Sequence, residues 1–141
     1  MVLLRKIFPQ KTNLQTAAEL HVSQKTSLRY KYVYSSTFIF LKKQFDEEFY
    51  ELDNAIAEAA KSIPGYLGEE TWENPNNGYI SNVYYWESLE ALRELMQHPK
   101  HIQAKASQEK WLNGYQVVIS QVLKTYGNTE LGVLKVQKSN G

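Results

Sequence analysis

The stretch from Tyr79 to His101, YISNVYYWESLEALRELMQHPKH, decides the fold because its periodicity changes halfway along. Up to Trp86 it is rich in aromatic and β-branched residues, which favour a strand. Beyond Trp86, apolar residues recur on one helical stripe, at Leu89, Leu92, Leu95 and Met96. Ser88 can cap this helix. A strand that passes into a helix at a Trp places the indole between sheet and helix, and we expect any pocket to form there.

The composition excludes several classes of protein. A length of 141 residues indicates one domain. The absence of cysteine excludes disulfides, thiolate nucleophiles, iron–sulfur clusters and cysteine-based zinc sites. A net charge of +1 gives no field to attract nucleic acid, and no apolar run approaches the roughly 20 residues of a membrane helix. We therefore predict a cytoplasmic protein that binds neither nucleic acid nor a membrane.

The rest of the chain supplies three more strands and another helix. Alternating aromatic and β-branched residues predict strands at Tyr30–Leu41, Tyr66–Trp72 and Tyr115–Tyr126. An apolar stripe predicts a helix at Phe45–Lys61. The turn Asn74–Gly78 favours a hairpin, because Asn and Gly tolerate positive φ.

Pro99 is expected to interrupt the second helix, because the residue before a proline disfavours the helical conformation. We expect the helix to resume from His101 to about Asn113 and to end at Gly114. Its inward residues are predicted to be Ile102, Ala106 and Trp111.

The resulting order, β-α-β-β-α-β, predicts a ferredoxin-like α+β fold, with two helices on one face of a four-stranded antiparallel sheet. This domain is expected over residues 29–127. Residues 1–28 form a lead-in of uncertain structure, and residues 128–141 form a tail with a possible extra strand at Leu131–Val136. The first and last strands also carry apolar residues on the face away from the helices. Since large exposed apolar faces are rare, we predict a homodimer that covers it.

Four segments taken in order resemble the antibiotic biosynthesis monooxygenase (ABM) domain, most closely its small stand-alone bacterial members of poorly defined function. They are Pro64–Glu69, Tyr85–Leu92, His98–Ala104 and Trp111–Tyr115, and the likeness spans about residues 31–126. The resemblance implies a dimeric α+β barrel. The family includes cofactor-independent oxygenases of polycyclic aromatic substrates and haem-degrading enzymes.

The sequence departs from the haem-degrading branch of that family. Those enzymes use an Asn on the first strand and a Trp and a His on the second helical segment. This chain has no Asn in Tyr30–Leu41, and the Trp and His positions would fall near Leu95 and Lys105. These departures argue against haem degradation. We therefore expect no cofactor and keep haem as the alternative.

Two histidines on the second helical segment are candidates for chemistry. His98 and His101 are three residues apart and share a helix face if Pro99 permits. They can act as a general base pair, or ligate haem or a metal. Alternatively, His98 hydrogen-bonds carbonyls at the end of the preceding helix.

Aromatic and amide side chains are further site candidates. Asn82 could orient a substrate oxygen or bond a neighbouring backbone group, because an amide on an apolar face needs a partner. Four aromatic residues could each be a wall of the pocket or part of the core: Tyr84, Trp86, Trp111 and Tyr115.

Three functions remain open. The first is an oxygenase that deprotonates a small aromatic or polycyclic substrate with His98 or His101 and needs no dedicated cofactor. The second is a haem-binding or haem-degrading protein. The third is a non-catalytic binder of a small hydrophobic ligand, such as a stress protein, on the same fold.

Overall fold

The computed structural model describes residues 32–128, 130 and 131, so the expectations for the lead-in and most of the tail lie outside these residues. The elements are β1 (Val33–Lys42), α1 (Glu47–Ser62), β2 (Tyr66–Glu73), β3 (Tyr79–Trp86), α2 (Leu89–Met96), α3 (Pro99–Ser107) and β4 (Leu112–Val122). In this part of the chain, no helix has the length and apolarity needed to cross a membrane.

The four strands form one antiparallel sheet in the order β2-β3-β1-β4, which confirms the predicted ferredoxin-like class. The register aligns Ser36 with Tyr84 on one side and with Ile119 on the other. Alternate residues on these strands therefore share the face that packs against the helices. We call this the helix-facing side. It consists of residues 34, 36, 38 and 40 of β1, 80, 82, 84 and 86 of β3, and 115, 117, 119 and 121 of β4.

The first two helices each begin at a side-chain cap, and α1 begins two residues later than the predicted start at Phe45. Asp46 accepts a hydrogen bond from the backbone N–H of Phe49 at 2.9 Å, and Ser88 accepts one from Ala91 at 3.1 Å. From its cap, α1 buries its apolar stripe against the sheet, together with one carboxylate: Phe49, Leu52, Asp53, Ile56, Ala57 and Ala60.

Two glycines in the connections between elements have a positive φ. Gly78 has a φ of +75° in the β2–β3 hairpin, as the turn sequence predicted. Gly65 has a φ of +101°, and its carbonyl accepts from the N–H of Glu87 at 2.8 Å. A Cβ at Gly65 would lie 2.9 Å from the Cβ of Ala91. This glycine lets the start of β2 pack against the junction of β3 and α2.

The region after α2 differs from the prediction. Pro99 restarts the helix as expected, but α3 ends at Ser107 and is followed by a single 3₁₀ turn at Gln108–Lys110. Strand β4 begins at Leu112, so Gly114 lies within the strand and does not end the helix.

The face that α3 turns inward was also predicted wrongly. Ile102 is 55% exposed and Ala106 is exposed, whereas Ala104 is buried. Trp111 is buried as expected, but it lies after the 3₁₀ turn and not in a helix. Because α3 starts afresh at Pro99, its phase is independent of α2, and its inward stripe runs along His101, Ala104 and Lys105.

Candidate functional site

A cavity of about 180 Å³ lies between the helix-facing side of the sheet and the two later helices. It is open to solvent at one end. Most of the described residues that line it are apolar. They are Ser36 and Phe38 of β1, Ile56 of α1, Tyr84 of β3, Leu92, Leu95 and Met96 of α2, His101, Ala104 and Lys105 of α3, Gln108, and Tyr115, Val117 and Ile119 of β4.

The cavity exists because the helices cover β3 but leave β4 open. Tyr115, Val117 and Ile119 on the helix-facing side of β4 are 46%, 47% and 49% exposed. On β3, by contrast, Tyr84 and Trp86 on the same side are buried. The open end of the cavity therefore follows the edge strand, and its closed end is at Tyr84.

His101 is the cavity residue best suited to move a proton. Its side chain is largely buried, and its Nδ1 has no hydrogen-bond partner within residues 32–128. Burial, together with the charges of Lys105 and His98, lowers the pKa of His101 below its ordinary value of 6.5, against an opposing contribution from the carbonyl of Met96. A ring that is neutral at pH 7 can accept a proton, which a general base requires.

Two further polar side chains of the cavity extend the stripe on which His101 lies. Lys105 and Gln108 follow His101 by four and seven residues, the spacing of one helix face, although Gln108 belongs to the 3₁₀ turn. Lys105 is an exposed residue of the lining, so it lies where the cavity meets solvent. No other charged residue occurs among the described residues of the lining.

The closed end of the cavity has the opposite electrostatic character. Tyr84 is buried there, and the carboxylates of Glu69 and Asp53 lie near its hydroxyl. Burial, followed by these two carboxylates, raises the pKa of Tyr84 well above its ordinary value of 10. Tyr84 therefore stays protonated and acts as a wall, not as a base.

Trp86 lies outside the cavity lining but contacts two residues of it, Ser36 and Tyr84. Its indole is fully buried beside Tyr66 and Tyr84, with ring centroids 5.9 and 6.0 Å away. The indole N–H donates to the Ser36 Oγ at 3.2 Å. A hydroxyl that accepts this bond still has its own proton to donate, and Ser36 lines the cavity. The pocket expected beside Trp86 thus lies further along the sheet, with Ser36 between them.

Three other predicted site residues lie outside the cavity lining. His98 caps α3: its Nδ1 accepts from the backbone N–H of Lys100 at 3.1 Å, and its backbone N–H donates to the Leu95 carbonyl of α2 at 3.0 Å. Asn82 is buried, and its Oδ1 accepts from the Thr71 hydroxyl of the paired strand at 2.7 Å. Trp111 is buried and donates to Asp46 at 2.9 Å, which joins the start of α1 to β4.

The structure thus brings together His101, Tyr84 and Tyr115 of the seven predicted site residues. The sequence interpretation missed the polar residues Ser36, Lys105 and Gln108. Ser36 shares its strand face with Phe38 and Phe40, and a one-residue shift in the α3 stripe would have selected both Lys105 and Gln108. The alternation along β1 and the helical repeat along α3 were thus the sequence patterns that could have identified these three residues.

The cavity residues do not fit haem or a resident metal. An engineered apolar cavity of roughly 150 Å³ takes a single benzene, so a volume of about 180 Å³ is too small to enclose a tetrapyrrole. Among residues 32–128, 130 and 131, no group of three or more His, Asp or Glu side chains is arranged to hold a metal ion.

Comparisons with known proteins support the fold. No protein-family model matches the chain. The chain is 28% identical over 90 residues to the uncharacterised protein YqjZ of Bacillus subtilis, a match that spans 63% of this chain and 78% of that protein.

Solved structures share the architecture at low sequence identity. Rv0793 from Mycobacterium tuberculosis has a TM-score of 0.57 at 15% identity, covering 67% of this chain and 99% of that one. SnoaB, a cofactor-independent oxygenase from Streptomyces nogalater, has a TM-score of 0.57 at 12% identity, covering 69% of this chain and 99% of its own. The chain is therefore an α+β protein with the fold of SnoaB, which confirms the fold implied by its resemblance to ABM domains.

Proposed function

We propose that the chain is a cytoplasmic, cofactor-independent monooxygenase of small hydroxylated aromatic compounds. The observation that carries this proposal is His101, a ring kept neutral by burial in the wall of an apolar cavity. The fold shared with SnoaB supports the same class of chemistry. The apolar lining suits a flat aromatic body, and Ser36 replaces Asn82 as the donor that orients it.

The proposed reaction needs no outside reductant. His101 accepts the proton of a substrate hydroxyl, which leaves an electron-rich aryloxide. The aryloxide supplies electrons to O₂, a C–O bond forms on the ring, and the O–O bond breaks. One oxygen atom stays on the ring as a quinone carbonyl, and the other leaves as water with the two hydrogens that the substrate loses. The substrate thus supplies all four electrons that O₂ takes up.

The test compares the two histidines of the same segment. Oxygen uptake and quinone formation are measured with a panel of phenols and naphthols. His101→Gln is expected to lower kcat/KM by about 10² to 10⁴-fold, the usual contribution of a general base. His98→Asn is the matched control, because Asn can still cap α3 and His98 lies outside the cavity lining. It should change kcat/KM by less than about twofold.

Two outcomes would overturn the proposal. Full activity in His101→Gln would remove this histidine from the reaction. If members of the panel bind but none consumes oxygen, the chain is a non-catalytic binder on the same fold.

The face of the sheet opposite the helices supports a homodimer. Trp72, Tyr79 and Val118 lie on this face and are 59%, 48% and 39% exposed. On the same face, Tyr85 donates to the Glu70 carboxylate at 2.8 Å, so one polar pair there is already satisfied. An apolar sheet face of this kind is suited to pack on its own copy across a two-fold axis.

Two neighbouring residues of β4 test the dimer, because their side chains lie on opposite faces. Val118→Glu places a charge in the proposed interface and should convert the dimer to a monomer in light scattering. Val117→Glu places the same charge on the helix-facing side and should leave the mass unchanged. A monomeric unsubstituted protein, or equal effects of both changes, would contradict this interface.

A further inference from the structure

The charges around the cavity are arranged asymmetrically. Lys105, at the open end, is the only charged residue among the described residues that line it. At the closed end, Glu69 and Asp53 lie near the Tyr84 hydroxyl, which makes that end unfavourable for an anion. A ligand with one negative group would therefore place it toward the open end, and its apolar body toward Tyr84.

The position of Lys105 relative to His101 gives the ligand a second polar contact. The two residues are four apart on α3, so their Cβ atoms lie on adjacent turns of one face, roughly 5–6 Å apart. The ammonium group is close enough to act electrostatically on the imidazole. One aromatic molecule can therefore contact both groups, through a hydroxyl near His101 and an anionic group near Lys105.

The cavity volume limits the size of the aromatic body. A cavity of about 180 Å³ is slightly larger than the roughly 150 Å³ that accommodates benzene. One ring fits within it, and a second fused ring can extend toward the open end beside Tyr115, Val117 and Ile119, which are half exposed. A third fused ring would lie in solvent.

We propose that the ligand of this site is an aromatic carboxylate of one or two rings, held by Lys105 at the mouth of the cavity. This inference rests on the site of the proposed function and specifies its substrate class. An aromatic acid satisfies the cation, fills the apolar volume and keeps its charge away from the carboxylates near Tyr84.

The test uses two probes of equal shape that differ in charge, naphthalene carboxylate and naphthalene carboxamide. Neither has a hydroxyl group for His101 to deprotonate, so the experiment measures binding alone. At about pH 7.5 the carboxylate is ionised. We expect it to bind about two- to fivefold more tightly than the amide by calorimetry in low salt, since an ion pair with an exposed lysine is typically of that magnitude. The difference should shrink as salt screens the exposed ammonium group.

Substitutions on α3 assign the preference to one residue. Lys105→Gln should remove most of the difference between the two probes. Lys100→Gln is the matched control, because Lys100 is an exposed lysine of the same helix that lies outside the cavity lining. It should leave the difference intact. Anthracene carboxylate should bind more weakly than the naphthalene acid.

The outcomes separate this inference from the proposed function. Three outcomes would each overturn the proposal that the ligand is an aromatic acid of one or two rings. They are equal binding of the two probes, equal effects of the two lysine substitutions, and tighter binding of the three-ring acid. Selective binding of the acid without oxygen uptake on the phenol panel would support the inference and refute the oxygenase. Turnover of the phenols together with equal binding of the two probes would support the oxygenase and refute the inference.

Discussion

Strands β3 and β4 carry similar patterns on the helix-facing side of one sheet, yet they have different environments. On β3, Ile80, Tyr84 and Trp86 are buried beneath the helices. On β4, residues of the same type, Tyr115, Val117 and Ile119, are about half exposed and form one wall of the cavity. Alternation of apolar residues therefore indicates which side chains share a face, but not how completely another element covers that face.

The difference follows from the position of each strand in the sheet. β3 lies between β2 and β1, whereas β4 is at the edge, paired only with β1 among the described strands. α1 packs its apolar stripe into the core around β3, and α3 reaches the edge with a short helix that has only one buried residue. The helices therefore cover the sheet less completely near β4, and the unfilled space between them and β4 is the candidate site.

The largest expected effect tests whether the helix-facing residues of β3 are as well packed as their burial indicates. Trp86→Ala should lower the free energy of unfolding by about 3–5 kcal/mol, because it empties a fully buried site and removes the donor to Ser36. Tyr115→Ala on β4 should lower it by about 1 kcal/mol, since its ring is half exposed. Urea denaturation measures both values.

A gentler change keeps this test informative if Trp86→Ala does not fold. Trp86→Phe retains a ring but loses the indole N–H, and it should still destabilise more than Tyr115→Ala. Equal costs at the two positions would show that β4 is as well packed as β3, and the cavity would lose its structural basis.

The fold was predictable because each of its signals is local. The cap at Ser88, the hairpin at Asn74–Gly78 and the helix break at Pro99 depend on a few adjacent residues. The phase of α3 was not predictable in the same way. It depends on how a helix restarted by Pro99 settles on the sheet, and the expected inward residues Ile102 and Ala106 proved to be exposed.

The candidate site was only partly predictable, because residue type does not distinguish a side chain that lines a cavity from one that is buried in the core. Trp86, Trp111 and Asn82 have the residue types of a binding site, but each is buried with a partner inside the protein: Ser36, Asp46 and Thr71, respectively. Lys105 resembles an ordinary surface lysine in sequence. Its role depends on the position of the cavity, which arises from tertiary packing.

A second, smaller effect tests the open half of the comparison. Ile119→Trp should fill part of the cavity beside Ser36, the residue it pairs with, and weaken binding of naphthalene carboxylate by about tenfold. The free energy of unfolding should change by less than about 1 kcal/mol, since Ile119 is half exposed. Gln121→Trp is the control, on the same strand and face but outside the lining. Equal binding by both variants would place the ligand elsewhere.

The smallest expected effect concerns His101, which lines the cavity between the buried residues around β3 and the half-exposed residues of β4. Its pKa is lowered in the folded state, so the unfolded chain binds the proton first as the pH falls. Stability contributed by His101 is therefore complete above the ordinary pKa of about 6.5 and declines as the pH drops from there toward the folded pKa. Lys105 and His98 act in the same direction, because each disfavours a second positive charge nearby.

Urea denaturation of His101→Gln and His98→Asn between about pH 8 and pH 5 isolates this effect. His101→Gln should lose less stability on the acid side than the unsubstituted protein, and His98→Asn should retain most of that loss. For the proposed oxygenase reaction, the same titration should make kcat/KM fall below a pH that is itself lower than 6.5, where the ring becomes charged and can no longer accept a proton. An acid limb at the ordinary histidine pKa would instead mean that the ring is solvated, and that the helices leave His101 as open as they leave β4.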